Sequence, residues 1–74
     1  MINYMNMNEL GQEIRRMRKE AGLRQEQLAG VSGVGIRFLV QLEHGSETAQ
    51  IGKVFKVLKV LGCEVIVQKR RGAR

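Results

Sequence analysis

Apolar positions recur along the chain in four groups at helical spacing. Leu10, Ile14, Met17 and Ala21 follow one another at intervals of four, three and four, so they share one helical face, and Gly22 ends that run. Asn8 can cap this first helix, with Glu9 in its first turn. The second group, around Leu28 and Ala29, predicts a helix from Gln25 to about Val31. Arg24 stands at its start and offers no side-chain acceptor, which leaves the start either frayed or rescued by Gln27, and Gly30 inside it costs roughly 1 kcal/mol relative to alanine. A third helix is expected from near Gly35 to the glycine stop at Gly45. With Leu39 and Leu42 inward, Ile36, Arg37, Val40 and Gln41 point away and Phe38 lies at the boundary. In the fourth, from about Ile51 to Leu61, one face carries Ile51, Val54, Phe55, Leu58 and Leu61, and the other carries Lys53, Lys56 and Lys59. Val57 and Val60 fall outside that core stripe and flank the lysines, as an exposed contact surface would.

After Gly62 the period changes from helical to alternating. Cys63, Glu64, Val65, Ile66, Val67 and Gln68 are rich in β-branched residues and read as one strand. A lone strand has no partner within an otherwise helical chain, and its simplest closure is the same strand from a second copy, antiparallel across a two-fold axis. The expected fold is therefore mostly α: four helices plus a C-terminal β-strand pairing across a homodimer. Its dimer interface would hold Val57, Val60, Cys63, Val65, Ile66 and Val67. The chain divides into a flexible arm (1–8), a helical domain (9–62), the dimerisation strand (63–68) and a basic tail (69–74).

The joint between the second and third helices carries the first functional signal. Ser32, Gly33 and Val34 separate two short helical groups, and a glycine there suits a tight turn through the left-handed region. Two short helices joined in this way make a helix-turn-helix. Composition then narrows the partner: 13 Lys and Arg stand against 7 acidic residues, all of them glutamates, for a net charge of +6. That balance points first to nucleic acid, then to an acidic protein face, then to a membrane surface. No apolar run is long enough to span a bilayer and no leader pattern opens the chain, so a cytoplasmic protein without a membrane partner is expected. One cysteine and one histidine, His44, allow neither an internal disulfide nor a clustered metal site. No nucleophile, base and orienting group come together in the pattern, so neither an enzyme nor a cofactor is expected.

The third helix would lay its outward residues in a major groove. Arg37 can bond guanine in a bidentate way, Gln41 can do the same with adenine, and Ile36 can touch a thymine methyl; Val40 completes the row of base contacts. Phosphate contacts are expected from Gln25, at a helix N-terminus, from Gly35 and from His44, and some of Arg15, Arg16 and Lys19 could join them in place of a merely solvated face.

Leu10-Gly11, Ile14-Arg15, Arg18, Gly22-Leu23, Gln25-Glu26, Leu28-Ala29, Gly33-Val34 and Leu42-Glu43 with Gly45 together resemble the lambda-repressor-like (XRE-type) helix-turn-helix DNA-binding proteins. The resemblance implies that Arg18 and Glu43 form a structural ion pair, that Arg18 is no DNA ligand, and that Gln25 meets the DNA backbone. This chain departs from the family's more polar pattern at Gly35, Ile36 and Val40. Four helices, a strand and a short basic tail look like the HipB-like branch, antitoxins of the HipBA type. By resemblance such proteins are homodimers that repress their own operon at a palindromic operator and hold a HipA-type serine/threonine kinase toxin inactive. Two other readings stand beside it: a regulator of XRE type without a toxin, and a protein-binding inhibitor with only weak DNA binding, favoured by the apolar Ile36, Phe38 and Val40 together with Val57 and Val60.

Overall fold

The structure, a computed structural model, describes residues 6–69. These hold four helices and no strand: α1 (Met7–Glu20), α2 (Gln25–Ser32), α3 (Ile36–Glu43) and α4 (Ile51–Val60).

Helix α1 starts two residues earlier than a cap at Asn8 would dictate. Asn6 Oδ1 accepts from the Glu9 amide at 2.8 Å and Glu9 Oε1 accepts from the Asn6 amide at 3.1 Å, a reciprocal cap that satisfies two otherwise free donors. Asn8 is thus inside the helix, and residues 6–8 belong to the folded body rather than to an arm. The rest of the expected arm and the tail beyond Lys69 lie outside the described residues. At α2, Gln27 Oε1 accepts from the Arg24 amide at 2.8 Å, which ties down the cap residue's own N–H, while Arg24 gives the first amides of the helix no side-chain acceptor. Gly33 closes α2 at φ +72°, a left-handed conformation that a side chain would strain, and the turn lets the Val34 amide reach back to the Ala29 carbonyl at 3.0 Å.

The core is Ile14 of α1, Leu28 and Ala29 of α2, Val34 of the turn, Leu39 and Leu42 of α3, and Val54, Val57 and Leu58 of α4. α3 packs against both α1 and α2, and α4 packs on α2. Where α1 crosses the end of α3 the backbones nearly touch, since a Cβ on Gly11 would collide with the Leu42 carbonyl and lie 2.7 Å from that of Glu43. Only glycine allows that approach, and it fixes how α3 sits on α1.

The apolar stripe of α4 is rotated from its expected position. Val57 is 0% exposed and belongs to the core, so it cannot serve as a contact surface. Ile51 and Phe55, expected in the core, are 60% and 47% exposed. Seven of the eleven residues from 51 to 61 are apolar, a band too wide for spacing to centre, and contact with α2 decides which flank goes under. Val60 is exposed, as expected.

Residues 63–69 form no regular element. Cys63 turns its thiol onto Met17 Sδ at 3.1 Å and packs against the core, which takes its side chain out of the expected interface. Beyond it Val65, Ile66 and Val67 are exposed, Val67 to 93%.

Candidate nucleic-acid interface

Helix α3 is held by a buried polar node on its inner side. Arg18 Nε donates to Glu43 Oε2 at 2.6 Å, Nη2 to Glu43 Oε1 at 3.1 Å and Nη1 to the Leu23 carbonyl at 2.9 Å. Both partners are nearly inaccessible, with side-chain exposures of 9% and 2%. A fork of this kind meets the carboxylate with two parallel bonds, and the extra bond to Leu23 ties the loop after α1 into the same node. Gln25 completes it, its Nε2 donating to Glu43 Oε1 at 3.1 Å. The first residue of α2 therefore supports α3 through its side chain. Nothing in the spacing of the sequence signals this link, because it joins residues eighteen positions apart.

The outer side of α3 is built the other way. Ile36, Arg37 and Gln41 are exposed, Val40 is half-buried, and Phe38 sits at the edge of the core. Arg37 and Gln41 have no side-chain partner among the described residues, so their donors and acceptors are available to a ligand. Gly35 caps the start of the helix, exposed and with free space around its Cα. Lys53 of α4 reaches over the Phe38 ring, 5.6 Å from its centroid, a contact not expected from the sequence that links α4 to the rim of this surface.

His44 follows directly on α3 and is exposed. Its Nδ1 lies 2.8 Å from the Val40 carbonyl, and a carbonyl can only accept, so Nδ1 carries the hydrogen. In the neutral ring Nε2 is then an acceptor, and only the protonated ring can donate to an anion through it.

The basic residues of α1 divide sharply. Arg16 is clamped between Glu13 at 2.6 Å and Glu20 at 2.7 Å, and its hydrogen bonds hold the Glu13 carboxyl below the usual carboxylate range. Arg18 is consumed by the node. Arg15 has neither kind of partner among the described residues and lines a shallow cleft of about 230 Å³ with Arg18, Gln25, Glu43 and His44. Two of the expected phosphate contacts, Gln25 and His44, thus share one cleft, and Gly35 is not among its lining residues. No described helix is long and apolar enough to cross a membrane, and no described cluster of three potential ligands could hold a metal ion.

Residues 14–67 match the profile of the helix-turn-helix family. The HTH-type transcriptional regulator y4mF of Sinorhizobium fredii is 58% identical over 57 residues, which cover 77% of this chain and 75% of that protein. Among solved structures, the restriction-modification controller protein C.AhdI from Aeromonas hydrophila aligns with a TM-score of 0.71 at 29% identity, over 78% of this chain and 88% of that one. A chain of the HipB-O4 20mer complex aligns with a TM-score of 0.80 at 17% identity, over 93% of this chain and 97% of that one. A chain of the HipA-HipB-O2-O3 complex gives 0.81 at the same identity and coverage. At that identity the likeness to the last two is one of fold.

Proposed function

The chain belongs to the helix-turn-helix family of XRE-type transcriptional regulators, and from that membership we propose that it is a sequence-specific repressor that lays α3 in the major groove of its operator. The observation that carries this reading is the outer side of α3, where Arg37 and Gln41 stand exposed and unpaired on a helix whose inner side is locked by Leu39, Leu42 and the Arg18–Glu43 pair. Arg37 supplies the bidentate fork that guanine recognition needs, Gln41 the amide that fits adenine, and Ile36 and Val40 the apolar contact for thymine methyls. Gln25, through its backbone, Gly35 and His44 contact phosphates and set the position of the helix in the groove.

In this reading two copies bind a palindromic operator. The folded body to residue 62 is the DNA-binding unit and residues 63–68 are the dimerisation strand, with Val65, Ile66 and Val67 paired across the two-fold axis and Val60 beside them. What supports the pairing is the run of exposed β-branched residues with no cover from the rest of the chain. The basic tail, 69–74, adds positive charge toward DNA. Selection from a random duplex library tests the reading. A two-fold symmetric motif, with half-sites about 34 to 36 Å apart or a multiple of that, supports it. Recovery of no motif, with all duplexes bound alike, overturns it.

The likeness of fold to HipB favours one extension, that the chain is the antitoxin of a HipBA-type pair and neutralises a HipA-type serine/threonine kinase toxin. Co-expression with a kinase encoded beside it tests the extension: a co-purifying, inactive kinase supports it, and a kinase that stays active and separate removes it while leaving the repressor reading in place.

A further inference from the structure

We propose that Arg15 is the cation that binds a DNA phosphate in the cleft between α1 and the start of α2, an inference that rests on the DNA-binding reading above. The sequence places four basic residues along one stretch of α1, and with Arg18 set apart by the family resemblance it does not rank Arg15, Arg16 and Lys19. The structure does. Arg16 has both neighbouring glutamates on its guanidinium and would lose them to reach an anion. Arg18 is neutralised by Glu43 and buried behind it. Lys19 is exposed but does not line the cleft. Arg15 alone among them is both free of partners among the described residues and part of the cleft wall.

Charge in the cleft adds up accordingly. Arg18 and Glu43 cancel, Gln25 is neutral, and His44 can donate through Nε2 only when its ring is protonated, so the one permanent, unpaired cation lining the cleft is Arg15. A phosphodiester carries one negative charge shared by two non-bridging oxygens, a pair of acceptors that suits the fork of a guanidinium. The bond would orient the duplex without reading its sequence, since every nucleotide presents the same phosphate.

The test compares Arg15→Gln, Arg15→Lys and Arg16→Gln with the unaltered dimer, each titrated against its selected operator and several variants at a series of salt concentrations. Arg15→Gln should weaken every duplex alike, keep the ranking of variants, and flatten the plot of log affinity against log salt by about 0.9 for each protomer bound. Arg15→Lys should restore most of the slope, and Arg16→Gln should leave it unchanged. An unaltered slope in Arg15→Gln, an equal loss in Arg16→Gln, or failure of the Arg15→Gln chain to fold would each overturn the proposal. If the unaltered chain binds its operator while Arg15→Gln matches its slope, only this inference falls. If the unaltered chain binds no duplex, the DNA-binding reading falls and takes Arg15 with it.

Discussion

The inner and outer sides of α3 share one eight-residue helix and obey opposite rules. Inside, Leu39 and Leu42 are fully buried and Glu43 accepts from Arg18 and Gln25. Outside, Arg37 and Gln41 are exposed, and their side chains have no hydrogen-bond partner among the described residues. A helix this short is marginal on its own in water, so its shape comes from what packs behind it. The difference shows how a small domain can present free hydrogen-bonding groups in fixed places: all the ordering is done on the hidden side, and a ligand on the open side meets a surface already in position.

The comparison implies that the two sides fail separately. Glu43→Ala should give the largest effect, because it leaves the Arg18 guanidinium buried without its counter-charge and removes the acceptor of Gln25; a loss of about 3 to 5 kcal/mol is expected. Urea unfolding measures it, and a loss below about 0.5 kcal/mol, the usual size of a neutral surface change, would mean that the node does not hold α3. Arg37→Ala should do the reverse. Stability should stay within about 0.5 kcal/mol of the parent, while binding to the preferred operator falls by roughly 1 to 3 kcal/mol and discrimination relaxes at one base pair. A variant that binds every operator in the parental order would take Arg37 out of base reading. The smallest effect lies away from both sides. Gly30 is exposed within α2 with open space where a Cβ would go, so Gly30→Ala should stabilise the domain by up to about 1 kcal/mol without changing DNA affinity. A destabilised protein would show that the glycine answers a packing need not visible in its surroundings.

Much of this contrast was legible in the sequence. Leu39 and Leu42 at a spacing of three define the inner side of α3, and the glycine at the turn is needed for the left-handed bend found there. α4 was harder for a physical reason: in a short helix with apolar residues on several flanks, periodicity gives a face without giving its centre, and burial of Val57 in place of Phe55 is settled by α2. The start of α1 was missed although its signal was present, since Asn6 and Glu9 stand at the spacing of a reciprocal cap and Asn8 has Gly11 three residues on. The Gln25–Glu43 bond and the place of Arg15 in the cleft had no sequence signal, because both depend on which side chains the tertiary fold brings within reach, whereas the clamp on Arg16 stands in the sequence as Glu13 and Glu20 at helical spacing.

Guanine N7 protection on the selected operator tests the major-groove placement of α3 most directly, since N7 is exposed only there. The account predicts two protected patches related by two-fold symmetry, one per half-site, with protection at one guanine of each lost in Arg37→Ala. Full reactivity of every guanine N7 under saturating protein would contradict it.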